Sequence, residues 1–232
     1  TALTNLRCYN NNQLGNLDVS QNTALDDLNC GNTQLTSLDL TQNTALTELE
    51  CGNNQLMNLD LTQNTALLRL YCNYNQLTSL DLSQNTALTN LRLSGNQLTS
   101  LDVSQNIFLN SLWVSNNLLT TLDLRNGNNL IYFTGSGNSS LNCISVDDAA
   151  WATANYTNID AHTSFSDDCL VVTNSDPTFT STPDTTGTVG TFYTYNVTAT
   201  DPDGDALNFA GTTIPSWLTL TDNNNNSAVL SG

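Results

Sequence analysis

The sequence predicts a mostly β protein: a solenoid of short parallel strands with an irregular convex side, a cap, and then a β-sandwich. Three observations predict it. A 21-residue sentence recurs along the first half of the chain. Its apolar residues alternate as they do in strands. From about residue 171 the period gives way to apolar–polar alternation between turn signals.

The repeat is easiest to read in TALTELECGNNQLMNLDLTQN, Thr44 to Asn64. It recurs at Thr23–Asn43, Thr65–Asn85 and Thr86–Asn106. Thr1–Asn22 carries one extra residue, Ile107–Asn126 is degenerate, and Leu130–Cys143 is a fading last copy. A fixed period of this length means a solenoid, in which no copy buries its apolar side alone. In the copy above, Leu46, Leu49, Cys51, Leu56, Leu59 and Leu61 are the apolar positions. Leu49 and Cys51 point inward while Glu48, Glu50 and Gly52 point outward. Strands about 4.8 Å apart make seven coils a rod on the order of 30 Å long.

This pattern, L-x-x-L-x-C-x-x-N-x-L, resembles the bacterial leucine-rich-repeat family, in its internalin J-like form with 21-residue, cysteine-containing repeats. The resemblance covers roughly residues 1–143. It implies that Asn12, Asn54, Asn75, Asn96 and Asn117, with Thr33 in the second copy, form a ladder satisfying backbone groups at the turn. A second column, Asp18, Asp39, Asp60, Asp81, Asp102 and Asp123, either caps its own turns or lines up for cations; turn capping is the plainer reading. Cys8, Cys30, Cys51 and Cys72 share one slot, later filled by Leu93 and Val114. That exchange points to buried thiols packing as small hydrophobes, since ligands strung along a line cannot converge on one metal.

Composition narrows the partners. The 232 residues carry a formal net charge of −17 and only 11% charged residues. So acidic a chain lacks the basic patch that nucleic acid or an anionic membrane surface requires. No run of 18 apolar residues occurs, so no membrane insertion is expected within this segment. Thr1 opens directly on a repeat with no signal peptide ahead of it, and the natural precursor is expected to extend upstream.

In a solenoid, side chains projecting from the concave sheet are the readers. The outward slots hold Arg7, Tyr9, Arg69, Tyr71, Arg92, Trp113 and Tyr132. Arginine and aromatic side chains carry most interface energy, and ring faces beside amides and hydroxyls also suit sugars. These seven are the candidate ligand-binding residues for a protein or glycan. The competing reading is that isolated aromatics merely cover neighbouring strands.

Residues 144–170 form the expected cap, with Trp151, Tyr156, Ile159 and Phe165 as anchors and a short helix starting near Asp148. The segment resembles the C-terminal caps of secreted Bacteroidetes (flavobacterial) repeat proteins. A disulfide between Cys143 and Cys169 is expected beside it, closing a 26-residue loop and implying an oxidising compartment. The lone histidine, His162, lies in this segment and reads as a surface or packing residue rather than a catalytic one.

Residues 171–177 read as a linker and 178–232 as the β-sandwich. Tyr193, Tyr195, Val197 and Ala199 share one strand face, Leu207 and Phe209 open another strand, and Trp217, Leu218 and Leu220 supply core bulk. The run resembles bacterial immunoglobulin-like, cadherin-like (dystroglycan-type) domains, in which at least one more strand would follow. The resemblance also makes Asp201, Asp203 and Asp205 a candidate calcium loop, the one cofactor implied. A turn rich in Asp and Gly needs no metal, so both readings stay open. Asp184-Thr185-Thr186 resembles an O-glycosylation signal of the same bacterial group.

Together these readings describe a non-enzymatic recognition or adhesion protein at the extracellular or outer-membrane surface. The resemblance implies export through the type IX pathway. The alternative is an accessory glycan-binding or scaffold module of a larger secreted enzyme or polysaccharide-uptake complex. A stalk with no ligand of its own is a third.

Overall fold

Each copy places a leucine at the centre of a three-residue strand, flanked by two outward residues, so that stacking hides the leucine from water. The computed structural model describes residues 2–125, 127, 130–169, 176–182, 186–202, 206–211 and 213–232. In chain order the first strands are β1 (Asn5–Arg7), β2 (Asp27–Asn29), β3 (Glu48–Glu50), β4 (Arg69–Tyr71), β5 (Asn90–Arg92), β6 (Ser111–Trp113), β7 (Leu122–Asp123) and β8 (Tyr132–Thr134). All but β7 form one seven-stranded parallel sheet, in the order β1-β2-β3-β4-β5-β6-β8. Its register is set by the period: Leu28, Leu49, Leu70, Leu91, Leu112 and Phe133 lie side by side. The central leucines from Leu28 to Leu112 are wholly buried and share one core with the leucines of the turns behind them.

The asparagine ladder is present, with one correction. Asn54 donates to the carbonyls of Cys30 and Cys51 at 3.0 Å, and its Oδ1 accepts from the backbone N–H groups of Thr33 and Leu35. Asn75, Asn96 and Asn117 repeat the arrangement, and Asn138 extends it into the last coil. In the first coil the role belongs to Asn11 rather than Asn12: Asn11, itself exposed, donates to the Cys8 carbonyl at 2.7 Å, the bond Asn54 makes to Cys51. The extra residue of that copy falls after the ladder position, not before it. Thr33 keeps part of the function through its hydroxyl, 2.7 Å from the Cys30 carbonyl.

In a second buried column, Asn43, Asn64, Asn85 and Asn106, each side-chain amide donates to two carbonyls of the preceding coil. The Asp column caps its own turns. Each carboxylate accepts the backbone N–H two residues on, at 2.9 Å. Those N–H groups hold the Asp18, Asp39, Asp60 and Asp81 carboxyls below their ordinary range. The four cysteines of the repeat slot are free thiols; Cys30, Cys51 and Cys72 are wholly buried and Cys8 half-buried. The Sγ atoms of Cys51 and Cys72 meet at 2.8 Å.

The convex side becomes regular at its C-terminal end, where an irregular one was expected. β9 (Cys143–Ser145) and β10 (Ser164–Ser166) extend β7 into a small parallel sheet of order β10-β9-β7. The Cys143–Cys169 disulfide, with Cα atoms 5.8 Å apart, ties this sheet to the end of the cap. The helix α1 (Ala149–Asn155) is capped by Asp148, which accepts from the Trp151 N–H. Phe133, Tyr156 and Phe165 pack ring against ring with centroids 5.3–6.4 Å apart, and Trp151 meets Tyr156 edge-on. The Tyr156 hydroxyl donates to the Leu130 carbonyl at 2.7 Å, and burial pushes its pKa up to about 12. These rings cover the last coil. His162 is exposed.

The chain divides into two units, Thr1–Leu170 and Val171–Gly232. The described residues of the second form a four-stranded antiparallel sheet, β11-β12-β14-β13, from β11 (Thr178–Phe179), β12 (Thr194–Thr200), β13 (Thr219–Asp222) and β14 (Ser227–Ser231). Tyr193, Tyr195, Val197 and Ala199 turn to its covered side. Leu207 and Phe209 do not open a strand. Their N–H groups donate to the side chains of Asn226 and Asp222 instead of to a ladder. Trp217 is 62% exposed rather than core, its ring edge-on to Tyr193. Asp203 and Asp205 of the candidate calcium loop lie outside the described residues, as do Asp184 and Thr185 and most of the linker. Among the described residues no group of three or more His, Cys, Asp or Glu side chains is placed to hold a metal ion.

Candidate functional site

The register that buries the leucines aligns the outward residues into rows. The first row runs Asn5, Asp27, Glu48, Arg69, Asn90, Ser111, Tyr132; the second runs Arg7, Asn29, Glu50, Tyr71, Arg92, Trp113, Thr134. Neither row contains an aliphatic side chain.

The structure separates the seven candidates into groups. Tyr71, Arg92 and Trp113 come together. The Arg92 guanidinium carbon lies 4.6 Å from the Tyr71 ring centroid and 4.2 Å from that of Trp113, so two rings clamp one cation. Arg7 and Arg69 are instead absorbed by neighbouring carboxylates. Arg7 reaches Asp27 at 3.1 Å, Arg69 pairs with Glu48, and these hydrogen bonds raise the pKa of both guanidinium groups. Tyr132, 65% exposed, stands beside Ser111 one coil beyond the stack. Tyr9 is exposed in the turn after β1, three coils from Tyr71.

Tyr74 escaped the sequence reading. It occupies the turn slot that holds Asn10, Asn32, Asn53 and Asn116 in other coils and Gly95 or Gly137 in two more. Every one of these residues has a positive φ, 54° in the case of Tyr74. Asn and Gly tolerate that region, whereas Tyr is strained in it by about 1–2 kcal/mol. The Tyr74 ring lies over Gly95, where an added Cβ would stand 2.5 Å from Cδ1. It is 58% exposed. The signal that could have found it is an aromatic residue in an Asn/Gly slot.

The stack itself holds no paired acid and base, nor a nucleophile beside a base. No family model matches the chain, and no curated protein matches it. Solved structures do. The functional domain of InlJ from Listeria monocytogenes, described as including a cysteine ladder, is 32% identical over 62% of this chain and 45% of that one, with a TM-score of 0.40. A leucine-rich-repeat protein of Leptospira interrogans is 24% identical over 64% of this chain and 46% of its own, TM-score 0.49. YopM, a leucine-rich effector protein from Yersinia pestis, is 25% identical over 53% and 32%, TM-score 0.41. The chain spans less than half the length of each of these three proteins.

Proposed function

We propose that the first unit is a recognition module of the leucine-rich-repeat type, displayed outside the cell, which holds a protein or glycan ligand on its concave sheet. The 21-residue period and the stacked parallel strands support the type. The observation that carries the binding role is the Tyr71–Arg92–Trp113 stack, an aromatic–arginine cluster whose arginine makes no ion pair among the described residues. The disulfide supports an oxidising compartment, and with it a secreted or surface location. In this reading the second unit is an immunoglobulin-like, cadherin-like spacer, with calcium at Asp201, Asp203 and Asp205 as its candidate cofactor, and the protein is not an enzyme.

The test combines Tyr71→Ala, Arg92→Ala and Trp113→Ala in the full chain and measures adhesion to, or capture of, host or bacterial cell-surface material. Loss of capture with an unchanged melting temperature is expected. Unchanged capture removes the concave face from consideration. A second reading, an accessory glycan-binding module of a larger secreted enzyme or uptake complex, is favoured by the amides and hydroxyls of Asn73, Asn90 and Ser94 around the stack. A glycan array read through tryptophan fluorescence separates the two.

A further inference from the structure

Arg92 differs from every other arginine in the chain. Arg7, Arg69 and Arg125 each meet a carboxylate within 3.4 Å; Arg92 meets none among the described residues. Its neighbours one repeat to either side are Tyr71 and Trp113, where Arg69 has Glu48 as its partner. The two rings flank the guanidinium from the coils on either side, with its carbon 4.6 Å and 4.2 Å from their centroids. Part of its edge is already withdrawn from water: Nε is buried and donates to no group of the protein. A desolvated donor without an acceptor is costly, and a planar fork held between rings fits an oxyanion in its own plane.

We infer that the edge of Arg92 receives one oxyanion of the ligand, and that this ligand is a glycan carrying a carboxylate- or sulfate-bearing sugar. The inference rests on the concave-face reading and narrows it. Around the stack stand Asn73, Asn90, Ser94 and Ser115, amides and hydroxyls that match sugar hydroxyls, with Thr134 beyond Trp113 and Glu50, which accepts from Asn29, beyond Tyr71. Tyr132, exposed one coil on, offers a further ring face. The net charge of −17 repels a polyanion, so the acidic sugar is an isolated one in a largely neutral chain.

The full chain is titrated with sialyllactose, 6-sulfo-lactose and neutral lactose, with heparin as the polyanion, following tryptophan fluorescence and calorimetric heat. Wild type, Arg92→Lys, Arg92→Gln and Trp113→Ala are compared, each checked by thermal melting. An acidic trisaccharide or sulfo-sugar should bind at least about tenfold more tightly than lactose, and both Arg92 variants should erase that margin, since lysine keeps the charge but loses the fork. Preference for sialyllactose assigns a carboxylate, and preference for the sulfo-sugar assigns a sulfate. Equal binding of lactose, full retention by Arg92→Lys, preference for heparin, or no binding by any probe overturns the inference. If lactose binds as well as the acidic sugars but Trp113→Ala abolishes it, the recognition face stands and only the oxyanion falls. If binding ignores both residues, the two readings fall together.

Discussion

The seven-stranded sheet has two halves built on the same backbone and register, and they treat charge in opposite ways. In the β1–β3 half, Asp27 accepts from Asn5 and Arg7, Asn29 donates to Glu50 at 2.5 Å, and Glu48 takes Arg69 from β4. The outward groups answer one another, and the surface is closed. In the half that begins at Tyr71, the cation is stacked between rings, and no carboxylate stands in either outward row. Cross-strand neighbours therefore do one of two things here: they satisfy each other, or they hold a polar edge outward. Identical scaffolding can close its outward groups on one another in one place and hold a cation between rings a few coils away.

The largest test of this contrast acts on its foundation. Cys143→Ser with Cys169→Ser reopens the 26-residue loop and should cost about 3–4 kcal/mol in the chain-entropy view. Hydrogen exchange should then rise in β6 and in β8 to β10 while β2 and β3 stay protected, because each coil contacts only its neighbours. Uniform loosening would mean that the two halves are one cooperative block.

A smaller effect is expected at Tyr74. Tyr74→Asn installs the residue of the other coils at the same positive φ and should stabilise the fold by about 1 kcal/mol, read as a raised melting temperature. It should at the same time weaken ligand capture severalfold. A variant that is both more stable and equally able to bind would show that the strained tyrosine serves only Gly95. The smallest change is expected from Arg69→Gln in the closed half. Its exposed ion pair contributes less than about 1 kcal/mol, and ligand capture should stay at wild-type level. A marked loss of capture would move Arg69 into the binding face and dissolve the contrast.

Much of the solenoid was legible because a period amplifies weak signals: Leu49 alone says little, but Leu28, Leu49, Leu70 and Leu91 together specify a register. Reading failed where the period slips. The insertion in the first coil lies after the ladder position, which is therefore Asn11 and not the expected Asn12. The second asparagine column was passed over because its residues look like surface loop, yet Asn43, Asn64 and Asn85 are wholly buried. The pairing of Arg69 with Glu48 and the clamp on Arg92 both lie 21 residues apart in the chain. They follow from neighbours in adjacent coils, which reading each coil separately does not reveal. The second unit has no repeat to average over. There a short apolar alternation at Leu207 and Phe209 imitated a strand, although side-chain acceptors had taken its N–H groups.

The in-register sheet also works as a ruler. Every added coil of 21 residues advances both outward rows by one strand spacing, about 4.8 Å, without changing the letters on either side. A neutral coil placed between β3 and β4 would break only the Glu48–Arg69 pair among the outward contacts. It would carry the Tyr71–Arg92–Trp113 clamp one division along the rod, intact. The distance between the closed and open halves is thus counted in whole coils, and a polymer whose repeat matches that step would meet one residue per division.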